Sequence, residues 1–480
     1  PAMRPLLAAL LASLLGGCVS SYPEAGAGFR AAFESGDFAA AAELAEKRAE
    51  NLSDPSALVW LLEAGAARRA EGRGEEAARA FERAEALITE LDRRPEISLT
   101  GESLSAFSNP LALEYRGRNA DRILAAAMLA LTHLETGSVE RARVAMNRTL
   151  FRLEDAKRVA ERRAAIAREE GEAAGEADAA FRQRLASPEL AEAARAATVG
   201  FGVLPADAAT VNPAAAWLHG LFFLHTAEGS ADLERARKSL QLVAGAAPGK
   251  AGVSADLALA EGGRGRPDPG PGRTLVYVLH ENGVAPRRGQ ETATLPLLLF
   301  EQDTPMVAIA LPTLSPAPAA GETLSLSWGD GQRGATERLA SVDAMMLAEF
   351  REEWPTAVTR ALASATAKAL VSHAANRAAR ENARRNSDNT GAQLLYLASL
   401  VTTNLYAGTA QADTRGWSSL PKEYLGQRLE APRGASLSLG GACLGSPTAI
   451  TLPDAKAVLV TVRTLGPAVP PVIRTAILQP

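Results

Sequence analysis

The stretch AGAARRAEGRGEEAARAFERA (residues 64–84) decides how the first half of the chain is read. Gly65, Gly72, Ala77 and Ala84 are small, and Phe81 is the one aromatic among them. Small residues at this spacing let two antiparallel helices approach closely, and an aromatic fills the gap that remains. Related copies lie on either side. SGDFAAAAELA carries Gly36, Phe38 and Ala41, and TGSVERARVAM carries Gly137, Ala142 and Met146. A fourth copy, WLHGLFFLHTAEGSADLERARKSL, has Gly220, Ala236 and Leu240, with extra residues at its turn.

Gly36 and Gly72 are 36 residues apart, close to the period of a tetratricopeptide repeat. No copy carries that repeat's full signature, so a generic helical bundle with alanine-rich seams is the alternative. The pattern predicts a tetratricopeptide-like helical solenoid over residues 27–248. Within it, the charged stretch 152–185 lacks an apolar seam and reads as a long solvated helix pair. The stretches 109–115 and 203–213 read as long connections.

Glycines and prolines without apolar period, culminating in EGGRGRPDPGPG, make residues 249–272 a linker. The period then changes. RTLVYVLHENG alternates apolar residues and ends in Asn282-Gly283, a strand running into a turn. TLPLLLF, MVAIALP, TLSLSW, ASLSLG, TAITLP and AVLVTVRTL read as further strands. A helical block opens near Asp343, meets Trp354-Pro355 at its first turn, and returns as AQLLYLASLVTTNLYAG. Residues 273–480 are therefore expected to form a mostly antiparallel β domain carrying an inserted helical hairpin, making the chain α+β and multidomain.

The first residues concern address. Met3-Arg4 and the apolar run Pro5–Leu15 have the form of a signal peptide, too short to span a bilayer. Leu15-Gly16-Gly17-Cys18 resembles the lipobox of bacterial lipoproteins, which implies a signal peptide over 1–17, acylation of Cys18 and a lipidated tether over 18–26. A plain secretory signal with a chance cysteine is the alternative. Val19-Ser20-Ser21 lacks the aspartate that resembles an inner-membrane retention signal, so the outer membrane, facing the periplasm, is expected. Cys443 then has no partner for a disulfide, and reads as a small buried residue.

The 51 Lys+Arg nearly balance the 55 Asp+Glu, and no basic field points to nucleic acid. GDGQRG (329–334) satisfies a dinucleotide-loop spacing but lacks a following helix, and reads as a hairpin turn. GAAPGKAG (245–252) is one residue short of a phosphate loop. Ser419-Leu420-Pro421-Lys422 and Ser387-Asp388-Asn389 stand in the wrong order for a penicillin-recognising enzyme, and Pro421 spoils the helical turn that would align serine with lysine. The five histidines form no metal-binding spacing. Neither a catalytic residue nor a cofactor is expected.

Two further stretches stand out: YVLHENGVAPRR (277–288) and DTRGWSSLPKEYLGQRLEAPRG (413–434). Through Glu281, Asn282, Gly283, Ala285 and Pro286, and then Asp413, Arg415, Trp417, Leu420 and Pro421, the chain resembles a family of uncharacterised proteobacterial lipoproteins with tetratricopeptide-like N-terminal halves. Members are associated with lipoproteins similar to the activators of peptidoglycan synthases, so the resemblance implies a role in the cell envelope. It supplies no catalytic residues. Physically, Asn282-Gly283 offers a turn with positive φ, and Pro286 stops the strand. Arg415 and Trp417 suit the seam between the helical hairpin and the sheet, where they stack or pair. These residues are candidates for a domain joint or for an exposed recognition site.

Two functions follow as expectations. One is an anchored scaffold, not an enzyme, that binds envelope proteins through the helical surface and the membrane through its lipid. The other is an envelope enzyme or glycan-binding module, with a polar pocket near His280, Glu281, Asp413 and Arg415.

Overall fold

The computed structural model describes residues 22–95, 110–175, 185–201, 212–263, 266–296, 306–385 and 411–480, apart from 319, 322 and 330. Cys18 and the signal-like segment lie outside these residues, as do Ser387 and the return arm 392–408 of the expected hairpin.

Among the described residues, ten α-helices form the first part: α1 (Tyr22–Glu34), α2 (Phe38–Ala49), α3 (Ala57–Glu71), α4 (Gly74–Arg93), α5 (Asn119–Glu135), α6 (Val139–Gly175), α7 (Pro188–Ala196), α8 (Pro213–His225), α9 (Ser230–Ala246) and α10 (Ala251–Glu261). Local chemistry sets their ends. The Asp37 side chain accepts from the Ala40 amide, and Asn212 from Ala215 just before Pro213. Gly72 closes α3 at φ 105°, its amide bonding the carbonyls of Arg68 and Arg69. A Cβ at Gly65 would meet the Phe81 ring at 2.6 Å, so α4 approaches α3 only because that position has no side chain. Gly220 does the same for Leu240 between α8 and α9.

α5 is buried from Asn119 to Leu134, and α8 from Ala214 to His225. A helix apolar on all sides must be covered on all sides. The second cover is a five-stranded sheet in the order β11-β10-β1-β7-β6, built from β1 (Arg273–Asn282), β6 (Glu337–Ser341), β7 (Glu423–Pro432), β10 (Ala457–Thr464) and β11 (Val472–Gln479). β1 runs parallel to β10, and the other pairings are antiparallel. Successive strand residues face opposite sides. Leu275, Tyr277, Leu279 and Leu459 therefore join the helical core. Val276, Val278, Val458, Val460 and Val462 instead meet Leu326, Leu437 and Leu439 of a second sheet and the nearby Cys443.

That second sheet has the order β5-β4-β8-β9, from β4 (Ser325–Trp328), β5 (Gln332–Ala335), β8 (Ser436–Gly440) and β9 (Thr448–Thr451). The expected turn at GDGQRG is the reversal between β4 and β5, with Gly329 and Gly331 at φ 55° and 88°. A ribbon of β2 (Arg287–Pro296) and β3 (Met306–Ser315) packs through β3 on α11 (Val342–Arg385), where the Trp354 indole donates to the Pro312 carbonyl at 3.2 Å.

The architecture is thus α+β, with eleven α-helices and mixed sheets among the described residues. Three boundaries differ from expectation. The stretch 249–272 is not all linker, because α10 occupies Ala251–Glu261. Its Gly252 lets the helix press on Arg428, and its Asp256 reaches Tyr277 of β1. Residues 22–26 of the expected tether are helical, since α1 begins at Tyr22 and buries Gly26, Phe29 and Phe33. Pro355 sits inside α11, not in its first turn. The halves also do not stand apart, for one hydrophobic cluster runs from Phe29 and Phe81 through Trp217 to Tyr277, Trp417 and Leu459.

Candidate functional site

The two quoted segments meet where the helical layer rests on the five-stranded sheet. After β1 the chain turns at Gly283, whose φ is 65°. The Ala285 amide donates to the Leu420 carbonyl at 2.7 Å, and the Lys422 amide to the Asn282 carbonyl at 2.8 Å. Asn282 donates through its side-chain amide to Gly321 and Glu423. Pro286 is buried just before β2. Arg463 of β10 ties the corner from beneath, donating to the carbonyls of Glu281, Gly283 and Ser419.

From this corner, 413–419 crosses the helices. The Arg415 guanidinium pairs with Asp413 at 2.9 Å and donates to the carbonyls of Pro55, Leu113 and Pro110, with the Tyr115 ring 5.3 Å away. Burial pushes the Asp413 carboxyl up, but Arg415 and Arg118 outweigh it and bring it to about 2. Trp417 lies 5.8 Å from Phe81 and donates to the Ser419 hydroxyl at 2.9 Å. Glu63 of α3 collects the amides and hydroxyls of both Ser418 and Ser419. Burial nevertheless pushes its carboxyl up to about 7 against those four donors.

Glu281 accepts both 2.9 Å bonds from Nη1 of Arg69, a residue of α3, and Arg69 also grips Glu135 of α5 at 2.7 Å. The Thr461 hydroxyl of β10 donates to the same Glu135 at 2.8 Å. These groups surround a cavity of about 30 Å³ lined by Arg69, Glu281, Trp417, Ser419, Arg463 and Arg474. That is room for a water or two.

Two similar networks flank it. Arg118 and Arg288 both bind Glu353 of α11 at 3.1 Å. Burial pushes the Glu353 carboxyl up, but the two arginines bring it down to about 2. One turn earlier, Glu349 accepts from the Asn119 amide at 2.6 Å. Burial, with Glu353 and Asp121 nearby, pushes its carboxyl up to about 8. On the other flank, the Tyr277 hydroxyl donates to Asp256 at 2.9 Å, Arg428 donates to the same oxygen at 3.0 Å, and His225 sits 2.9 Å from the hydroxyl.

All seven candidate residues, Glu281, Asn282, Gly283, Pro286, Asp413, Arg415 and Trp417, lie at this joint. His280 does not share it, because it faces the other side of β1, 2.8 Å from the Thr464 hydroxyl. Burial holds its imidazole down at about 3, hence neutral. Ser419 and Lys422 do not face each other either; the lysine pairs with Asp343. Sequence reasoning missed Glu63, Arg69, Arg118, Arg463 and Glu353. A signal for two of them was present: in LVWLLEAGAARRA, Glu63, Arg68 and Arg69 are the three charges in a run otherwise apolar or small. Among the described residues, no group of three or more His, Cys, Asp or Glu is placed to hold a metal ion. No family model, curated protein or solved structure matches the chain.

Proposed function

We propose that the protein is an outer-membrane lipoprotein, anchored through Cys18 and facing the periplasm, that serves as a protein-binding adaptor in cell-envelope assembly. Its helical half is a tetratricopeptide-like array. The observation that carries this reading is how the buried charges are spent: Glu63, Arg69, Glu281, Arg415 and Arg463 all bind across the joint or within it. They lock the array on the sheet and make one rigid body. Partner binding falls to the outer helix faces, where Glu75, Arg79, Glu82, Arg83 and Glu90 of α4 alternate in charge and remain exposed.

The test is crosslinking in intact cells, with Cys18→Ser as the mislocalised control. One envelope protein should be captured, then lost both in Cys18→Ser and when Arg79 and Arg83 are changed to Glu. Recovery of abundant outer-membrane proteins alone, indifferent to both changes, would refute the adaptor reading.

A further inference from the structure

Tyr22, the first residue of α1, is fastened to the body. Its hydroxyl donates to the Gly416 carbonyl at 3.1 Å, and its ring lies 5.2 Å from that of Trp60. Behind it, α1 sinks Phe29 and Phe33 into the shared core. Only Val19, Ser20 and Ser21 separate this point from Cys18. A chain extends by at most about 3.6 Å per residue, so the two Cα atoms stand within roughly 14 Å whatever path lies between them. By contrast α6 has 37 residues, a length of about 55 Å. The leash is far shorter than the body it holds.

We propose that the acylated protein lies flush on the bilayer, with the face around the start of α1 against the lipid headgroups. This rests on the reading of Cys18 as the acylated residue. The exposed side of α1 presents Pro23, Ala27 and Gly28, which are short enough for close approach, with Glu24 as the one carboxylate among them. Gly416 leads directly to Arg415, which bonds the Pro55 carbonyl, and the loop before Pro55 carries Leu52, half exposed. An exposed leucine beside a lipid anchor is a side chain that the interfacial region accepts. Neighbouring helices follow chain order from α1 against α2 to α9 against α8 and α10. The end built by α9 and α10 therefore points away from the membrane.

Fluorescence quenching tests the orientation. Cys443 is buried and free, so a cysteine introduced at Ala27, Leu52 or Lys238 of α9 can be labelled cleanly on the acylated protein. In phosphatidylethanolamine–phosphatidylglycerol vesicles carrying a headgroup quencher, labels at 27 and 52 should be quenched several-fold more than the label at 238. A long Gly-Ser insert between Ser21 and Tyr22 should shrink that gap. Equal quenching at all three sites, in protein whose mass shows the acyl chains, overturns the orientation alone. An unmodified Cys18 overturns the anchor and this orientation with it.

Discussion

β1 faces two interiors of opposite character. Towards the second sheet, Val276 and Val278 belong to a cluster of leucines, valines, alanines and Cys443. Towards the helices, the same strand offers Tyr277 and Glu281, which reach Asp256 and Arg69. The dry side is held by apolar area, which is indifferent to small changes of partner. The wet side is held by paired charges, each costly to strip of its partner and each specific in geometry. Apolar packing glues the sheets, whereas the ion pairs dictate which helices sit on them and in what register.

The contrast can be broken most forcefully at Arg69. Arg69→Ala strands Glu281 and Glu135 inside the seam and should cost about 3–5 kcal/mol, read by urea unfolding. A loss below that of a surface substitution would mean that water reaches the pair. Leu439→Ala, in the dry interior, should cost about 3 kcal/mol and leave the pH dependence of stability unchanged. Next comes Gly65→Ala, whose methyl group drives into Phe81 and should cost about 2 kcal/mol by overpacking.

Acidity sharpens the comparison further. The Glu349 carboxyl, at about 8, holds its proton in the folded state over a range where the unfolded chain has released it. Its contribution is therefore complete below the ordinary carboxyl pKa and is lost as the pH rises through 8. Between those limits the slope is about 1.4 kcal/mol per pH unit. Glu349→Gln keeps the shape and removes the proton, so its stability advantage over the parent should grow from pH 6 to pH 8. Parallel curves would refute the assignment. The smallest effect belongs to Gly283→Ala, where a side chain at φ 65° costs about 1 kcal/mol.

Much of the local structure was legible because it depends on near neighbours. Gly65 with Phe81, the Asn282-Gly283 turn and the reversal at Gly329 and Gly331 all follow from spacing alone. The α10 helix was obscured because its apolar residues stand between glycine-rich flanks. β7, which is part of the second quoted segment, was missed as a strand because Gly426 and three charged residues interrupt its alternation. Gly426 makes structural sense only beside Leu339 and Trp217, which fill the space it leaves. Sequence placed Arg415 and Trp417 at the seam of the inserted helical hairpin with the sheet, but the structure sets them against Pro55, Leu113 and Phe81 of the N-terminal helical part, contacts that no local spacing encodes. Arg69 and Glu281 are 212 residues apart, and no period or spacing links positions so distant.

The central pairing of β1 with β10 also constrains how the molecule is made. Asn282 and Thr464, partners in that ladder, are separated by 182 residues. The strand at the middle of the sheet waits for a partner that is synthesised 182 residues later. Until then the sheet-facing sides of α5 and α8 have no cover, and the growing chain carries unsatisfied apolar surface. Such long-range closure makes folding slow and leaves intermediates prone to aggregation. A stop codon before residue 457 would remove the strand that pairs in parallel with β1, so a chain ending there should fail to close its central sheet.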